Sequence, residues 1–242
     1  MNVLELFAGS RSIGKLCDEK GIITFSTDLY KFENNYPMDI LCFDYKIIPF
    51  VPDVIWASPP CTSFSVASIG HHWTGGNKAY IPKTDAAILG LKILEKTIEV
   101  IQYYKKINPN LIYFIENPRG LMRKMPHLKF FDRYTVTYCQ YGDTRMKPTD
   151  IWTNSKTWVP RKMCKNGSPC HVSAPRGSKT GTQGLSNSYL RSVIPYDLCL
   201  DVVNSFLDPS KNSDLNNKKR ASNLFLGSYK KRIKNENKNN DK

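Results

Sequence analysis

The sequence predicts an α/β fold built on a mostly parallel sheet, and three observations support this prediction. Short apolar runs typical of buried strands recur between residues 3 and 115. Helical patterns separate several of these runs, as the crossover connections of a parallel sheet require. Polar residues follow the runs directly, at the edge where open α/β sheets bind their ligands. A chain of 242 residues suits one such domain with an appendage.

The first predicted strand, residues 3–7, leads into a turn that contains glycine and then into a helix. This arrangement is typical of a nucleotide-like cofactor site, because glycine lets the backbone approach the ligand and the helix amino end presents free N–H groups. The spacing of Gly9, Gly14 and Lys15 nearly matches a phosphate-binding P-loop. Leu16, however, stands where that loop needs Ser or Thr. We therefore favour the cofactor turn.

The next two predicted strands each carry an acidic residue at an edge. Residues 22–27 form the second strand and end at Asp28, which is placed either to bind ribose hydroxyls or to cap a helix. Residues 39–41 form a short third strand that begins with Asp39. Spacing alone leaves both roles of Asp28 open.

The fourth predicted strand, residues 53–57, leads into the corner Pro59-Pro60-Cys61-Thr62-Ser63-Phe64-Ser65. The prolines end the strand because proline cannot donate to a sheet ladder. Cys61 is therefore held at the carboxyl end of a parallel strand. A buried structural cysteine is the alternative, but the prolines and hydroxyl residues around Cys61 favour a thiol that faces a ligand.

A fifth predicted strand, residues 111–115, follows a long loop at 66–84 and a strongly periodic helix at 85–106. It ends in Glu116-Asn117-Pro118, which repeats the geometry of the Cys61 corner. Because the tips of neighbouring parallel strands lie side by side, we expect Cys61 and Glu116 to face one pocket. The alternative role for Glu116 is the N-cap of a following helix.

The last part of the predicted fold is an antiparallel strand pair, residues 134–138 and 149–153, with a polar, basic connection. Residues 155–187 are rich in Lys, Arg, Gly, Ser and Pro and have no periodicity, so we predict a long basic loop. Residues 192–204 return to an apolar helical pattern.

Cysteine and histidine residues in the basic loop raise the question of a metal. Cys164, Cys170 and His171 offer three of the four ligands of a zinc site, and Cys139 is a remote fourth. Their spacing fits no standard zinc finger, so we predict no metal site and keep zinc as the alternative.

Composition and charge indicate the partner. The formal net charge is +14, which favours an anionic partner such as nucleic acid. Residues from 209 onward hold ten basic and three acidic side chains with few apolar ones, so we predict a disordered basic tail. The sequence has no membrane-length apolar run, an acidic residue near its amino terminus and an odd number of cysteines. We expect a cytoplasmic protein with free thiols, which acts as a monomer.

The order of these features resembles the DNA (cytosine-5)-methyltransferases over residues 1 to about 207. The nucleophile motif of that family is usually written PPCQxFS. Five motifs carry the resemblance: Leu6-Phe7-Ala8-Gly9 with Gly14, Pro59 to Ser65, Glu116-Asn117, Tyr141-Gly142 through Arg145 and Lys147, and Ser192-Val193-Ile194-Pro195. Compact members of this kind are similar to those in phage and other viral genomes.

The resemblance implies a Rossmann-like S-adenosylmethionine-dependent methyltransferase fold with a very small target-recognition region. It divides the chain into a catalytic core (1–154), a reduced recognition region (155–187), a helix that returns to the core (188–207) and the tail (208–242). It also implies S-adenosylmethionine as the cofactor and double-stranded DNA as the partner. Methyl transfer to cytosine C5 would then proceed through a covalent adduct between Cys61 and the C6 atom, with Glu116 assisting at N3.

The resemblance assigns roles residue by residue. Catalytic roles fall to Cys61, Glu116 and Arg145. Cofactor binding falls to Phe7, Ala8, Gly9, Ser12, Ile13, Asp28, Leu29, Asp39, Ile40, Pro59, Ser192 and Val193. Nucleic-acid contacts fall to Ser63, Ser65, Lys147, Arg176 and Lys179.

Departures from the family pattern leave two other functions open. Thr62 replaces the usual Gln, Pro118 replaces Val, and Arg191 stands where the family has Asn. The short recognition region favours a short or relaxed target sequence. The alternatives are the same chemistry on RNA, such as tRNA, and a non-catalytic nucleic-acid-binding module on the same fold.

Overall fold

The computed structural model describes residues 1–32, 34–173, 185 and 187–208. Its strands are β1 (Asn2–Leu6), β2 (Ile23–Asp28), β3 (Tyr36–Pro37), β4 (Val54–Ala57), β5 (Trp73–Thr74), β6 (Ile81–Pro82), β7 (Ile112–Pro118), β8 (Arg133–Thr137) and β9 (Pro148–Thr153). Its helices are α1 (Ser12–Glu19), α2 (Ile69–His72), α3 (Gly76–Ala79), α4 (Asp85–Ile107), α5 (Ser188–Ser192) and α6 (Tyr196–Leu207).

Seven strands form one sheet in the order β3-β2-β1-β4-β7-β9-β8. The first five in this order pair in parallel, and β9 pairs antiparallel with both β7 and β8. The prediction of a mostly parallel sheet with a terminal antiparallel pair is therefore confirmed. Because β4 and β7 are direct neighbours, with Ala57 opposite Ile115, the segments that follow them leave the sheet side by side.

Helices cover both faces of this sheet, and alternate residues of the strands decide which helix they meet. Leu4 and Leu6 of β1 point into the apolar cluster that also holds Leu94 and Ile101 of α4. Val3, from the same strand, points into the opposite cluster with Leu16 of α1 and several residues of α6. The sheet is thus a central layer, and its carboxyl edge is left for ligands.

Three predicted elements differ from the observed ones. The third strand is Tyr36–Pro37, not residues 39–41, because the Asp39 carboxylate accepts a bond from the Leu41 amide and caps a 3₁₀ turn. The loop at 66–84 contains α2, α3 and the β5–β6 ribbon. The final helix is two helices, α5 and α6, separated by Val193 to Pro195.

Some sequence predictions fall outside the described residues. Among them are the nucleic-acid contacts assigned to Arg176 and Lys179, and almost all of the predicted disordered tail. Within the part of the chain that the structure describes, no helix has both the length and the apolar character needed to cross a membrane.

Candidate active site

The ends of β1, β4 and β7 open into one cavity of about 310 Å³. Its wall combines the glycine turn, the Pro-Pro-Cys corner, the Glu116 corner, the basic connection and the segment after α5. The lining residues are Glu5, Phe7, Ala8, Gly9, Ser10, Ser12, Trp56, Ser58, Pro59, Pro60, Cys61, Thr62, Glu116, Pro118, Lys147, Arg191, Ser192 and Ile194. Cys61 and Glu116 therefore face one pocket, as the order of the strands predicted.

Cys61 lies half-buried at the start of a 3₁₀ turn that spans Thr62–Phe64. Burial raises the pKa of the Cys61 thiol, and the charge of Glu116 raises it further. Lys147 and Arg191 act in the opposite direction. The sequence-based expectation of a pKa lowered by a helix amino end is wrong for this protein, because only a three-residue turn follows the thiol and burial outweighs it.

Glu116 lies inside β7 and is buried, so it does not cap a helix. Burial raises the pKa of its carboxyl group, and this effect outweighs the neighbouring Lys147 ammonium, which lowers it. The Tyr138 hydroxyl donates a hydrogen bond of 2.9 Å to Glu116 Oε1. A buried carboxyl group with a raised pKa is suited to hold a proton that a ligand can receive.

Asn117 joins the two corners of the cavity mechanically. Its side-chain Nδ2 donates a hydrogen bond of 2.7 Å to the carbonyl of Pro59, and the side chain is buried. The Trp56 indole donates to Ser58 Oγ at 2.8 Å and fixes the same segment from the β4 side. These bonds set the position of the backbone immediately before Cys61.

Lys147, not Arg145, is the cation that faces the thiol. Lys147 is buried, lines the cavity, and donates from Nζ to the carbonyl of Arg191 at 2.8 Å. Its Nζ lies 4.5 Å from the centre of the Tyr138 ring. Burial lowers the pKa of Lys147, while Glu116 opposes that shift.

Arg145 occupies a different position. Its guanidinium forms an ion pair with Asp143 and donates to the carbonyl of Leu190 at 3.2 Å. It is not among the residues that line the cavity. Among the described residues, Arg145 therefore fixes the basic connection, and the assignment of the catalytic cation moves to Lys147.

Glu5 is a site residue that the sequence analysis missed. Its buried carboxylate accepts bonds from the Ile13 amide at 3.1 Å and the Ser26 hydroxyl at 2.7 Å. A Cβ atom on Gly14 would lie 2.5 Å from Glu5 Oε2, so this glycine allows the carboxylate to reach the first turn of α1. The amino end of α1 is thus filled by a carboxylate from the protein, which removes the P-loop interpretation. An acid inside the apolar run of β1 was the available signal.

A second cavity of about 170 Å³ adjoins the first and shares Phe7 and Pro60 with it. Asp28, Leu29, Asp39 and Ile40 line it, as the resemblance implied for a nucleoside. Its other lining residues are Thr27, Tyr30, Met38 and Ile93.

Two details of the second cavity fit a nucleoside. Asp28 accepts a bond from the Gly9 amide at 2.9 Å, so it ties β2 to the glycine turn instead of capping a helix. The buried hydroxyl of Thr27 has no hydrogen-bond partner among the described residues, and a polar ligand would satisfy it. Together, the two cavities fall within the range of about 300 to 1,000 Å³ typical of cofactor sites.

The remaining assigned residues are placed less directly. Ser192 lines the main cavity, and Ser12 Oγ accepts a bond from the Ile194 amide at 3.3 Å. Ile13 is buried in the core and contributes its backbone amide to Glu5, and Val193 is outside the lining.

The two serines assigned to nucleic acid differ in exposure. Ser63 is buried beneath α4, where its carbonyl accepts a bond from the Trp73 indole at 2.6 Å. It cannot reach a nucleic acid without movement of this segment. Ser65 is half-buried, and its hydroxyl accepts a bond from the Ala67 amide at 3.3 Å.

Comparison with known proteins identifies a relative of this chain. No protein-family model matches it. A protein of Frog virus 3 (isolate Goorha), described as a probable DNA (cytosine-5)-methyltransferase, is 33% identical over 175 residues, which cover 70% of this chain and 78% of the viral protein.

Solved structures with a similar fold are more distant. The methyltransferase EhMeth of Entamoeba histolytica gives a TM-score of 0.43 at 14% identity, over 68% of this chain and 57% of that one. The Dnmt2 methyltransferase of S. pombe gives a TM-score of 0.40 at 16% identity, over 63% and 49%. The chain therefore spans about half the length of these structures.

Proposed function

Because the chain belongs to the DNA (cytosine-5)-methyltransferase family, we propose that it transfers a methyl group from S-adenosylmethionine to C5 of cytosine in double-stranded DNA. The observation that carries this proposal is the convergence of Cys61, Glu116 and Lys147 on one cavity. A nucleophile, a proton donor and a cation are the groups that this reaction needs.

In the proposed reaction, Cys61 makes C5 of the base reactive. Addition of the thiolate to C6 places negative charge on the pyrimidine ring, which makes C5 nucleophilic. Negative charge also develops at N3, and the buried Glu116 carboxyl group, whose pKa is raised, supplies a proton there. Loss of the C5 proton and expulsion of the thiolate then restore the aromatic base.

Lys147 and the protonation state of Glu116 together control the thiol. The Lys147 ammonium lowers the pKa of Cys61, while an ionised Glu116 raises it. A protonated Glu116 no longer opposes the thiolate, so the two proton positions that the reaction requires are mutually compatible.

The two adjoining cavities are suited to hold the cofactor. We assign its methionine part to the turn at Phe7 to Gly9 and its nucleoside to Asp28 and Asp39, which line the second cavity. When bound, S-adenosylmethionine supplies an electrophilic methyl group.

The substrate must enter the cavity as an extruded base. Cys61 lies in a recess below the protein surface, and C6 of a stacked, paired cytosine is not accessible to it. We therefore propose that the target cytosine leaves the duplex. The net charge of +14 supports attraction to the phosphate backbone.

Transfer of tritium from methyl-labelled S-adenosylmethionine tests this function. Duplex DNA, single-stranded DNA and tRNA are compared with wild-type protein, Cys61→Ala and the control Cys42→Ser, which removes an exposed thiol outside both cavities. We expect label in C5 of cytosine in duplex DNA with wild type and control only. Label in tRNA alone would establish the RNA alternative, and labelling that survives Cys61→Ala would contradict the mechanism.

A further inference from the structure

Four side chains that the proposed reaction does not use meet beside the catalytic sheet. They are Cys139, Cys164, Cys170 and His171, and their ligand atoms all lie within 4.8 Å of one another. Cys139 lies in the 3₁₀ turn that directly follows β8. The other three come from the segment after β9, so the structure brings together the remote fourth ligand that spacing could not place.

The distances in this cluster match a tetrahedral metal site. Cys139 Sγ lies 3.1 Å from Cys164 Sγ and 3.6 Å from Cys170 Sγ. His171 Nδ1 lies 3.8 Å from Cys164 Sγ and 3.7 Å from Cys170 Sγ. A zinc tetrahedron with Zn–S bonds of about 2.3 Å has sulfur–sulfur edges of ~3.8 Å. A disulfide needs sulfur atoms about 2.05 Å apart, which none of these pairs approaches.

The donor set also selects the ion. Three thiols and one imidazole are ligands that zinc prefers, and the cluster contains no carboxylate that would favour a hard cation. Gly167, with a φ of +80°, turns the chain between Cys164 and Cys170 so that both sulfurs face Cys139.

We propose that these four residues bind one Zn²⁺ as a closed structural site. All four positions of the tetrahedron come from the protein, so no position is left for a substrate. The thiols bind as thiolates and release their protons to solvent, while the imidazole binds in its neutral form. This site goes beyond the proposed methyl transfer, and it replaces the sequence-based prediction that the protein has no metal.

The site anchors an irregular segment to the catalytic connection. Residues 154–173 contain neither helix nor strand, although they lie against the sheet. The Val172 amide donates to the carbonyl of Thr144 at 2.9 Å, and the Cys164 amide donates to Thr137 Oγ1 at 3.0 Å. Zinc would lock this segment to the connection that carries Lys147. The metal thereby does the work that a packed domain does in a larger protein.

Metal content tests the proposal without substrate or cofactor, so its failure is independent of any failure of the methyltransferase assignment. The full chain is purified under reducing conditions without chelator, and its zinc is measured by inductively coupled plasma mass spectrometry. We expect about one zinc per chain in wild type and in Cys42→Ser, and a loss of most of it in Cys164→Ser. Replacement by Co²⁺ should give the absorption spectrum of tetrahedral cobalt with thiolate ligands.

A second measurement on wild-type protein covers the case in which Cys164→Ser does not fold. Trypsin cleavage after the exposed Lys162 and Lys165 is followed before and after treatment with a chelator. We expect cleavage to accelerate when zinc is removed and to slow again when Zn²⁺ is restored. Wild-type protein that stays metal-free after incubation with Zn²⁺ and reductant, or cleavage that ignores the chelator, would overturn the proposal.

Discussion

The two thiol environments of this protein differ in what surrounds the sulfur. Cys61 lines a cavity with a carboxyl group, Glu116, and an ammonium group, Lys147. The cluster of Cys139, Cys164, Cys170 and His171 has other sulfur and nitrogen ligands as its nearest neighbours. A single thiol between opposite charges is controlled by proton position, whereas several thiols within bonding distance of one ion are controlled by that ion.

The difference teaches that neighbours, and not exposure, separate a nucleophile from a ligand. Cys61, Cys164 and Cys170 are all half-buried, and Cys139 is buried, so exposure alone does not sort them. What sorts them is the presence of an acid and a cation beside Cys61 and of further soft donors beside the other three.

The largest expected effect comes from Cys61→Ala, which should reduce methyl transfer to background. The side chain forms the covalent bond to the base, and alanine offers no substitute. Zinc content and binding of S-adenosylmethionine should both be unchanged, as measured by mass spectrometry and calorimetry. Loss of zinc in this variant would show that the two thiol environments are not separate.

Glu116→Gln should lower the rate of methyl transfer by about 10²- to 10⁴-fold, the usual contribution of a positioned acid. Glutamine keeps the shape and the bond from Tyr138 but cannot deliver a proton to N3. Single-turnover methylation of duplex DNA measures the effect. Glu99→Gln, at an exposed position of α4, is the control, and an equal loss there would refute a specific role.

Lys147→Met should favour the protonated form of the Cys61 thiol further. The pKa of Cys61 is already raised by burial, so its thiolate increases as the pH rises through that raised value. Loss of the ammonium removes a group that lowers this pKa, so thiolate formation should require a still higher pH. A tenfold weaker acidity of the thiol reduces the thiolate fraction at neutral pH about tenfold.

The measurement is the rate of Cys61 alkylation by iodoacetamide against pH, read at the Cys61 peptide by mass spectrometry. Lys162→Met, at an exposed position of the irregular segment, should leave the curve in place. A curve that does not move in Lys147→Met would remove Lys147 from control of the thiol.

The smallest expected effect is that of Asn117→Ala, which should lower the free energy of unfolding by about 1–3 kcal/mol through the lost bond to Pro59. It should loosen the Cys61 corner and leave the zinc content intact. Chemical denaturation and metal analysis test both parts, with the exposed Asn110→Ala as the control. Zinc loss in Asn117→Ala would contradict the independence of the two environments.

Apolar periodicity and chain breakers were sufficient to predict the sheet and the convergence of Cys61 with Glu116. Buried parallel strands are continuous apolar runs, and Pro59 and Pro118 mark where two neighbouring strands end. The third strand was misplaced because Asp39 was treated as a strand residue, whereas its side chain caps a turn.

The electrostatics of the site could not be predicted in the same way. The exchange of roles between Arg145 and Lys147 depends on Asp143, which pairs with the arginine, and on a backbone φ of +25° at Lys147. The raised pKa of Cys61 depends on burial by distant segments. Likewise, Cys139 reaches Cys164 only through the folded path of the chain, because the two residues are 25 positions apart.

The bond between the Ile194 amide and the Ser12 hydroxyl joins residues 182 positions apart. A ribosome delivers the glycine turn, the thiol and Glu116 long before it delivers Arg191, Ser192 and Ile194, which complete the cavity wall. The nascent chain therefore carries its nucleophile through most of translation in an open groove. Completion of the wall is timed by elongation, so a chain that stops short of α5 has the reactive groups without the enclosure that excludes water from them.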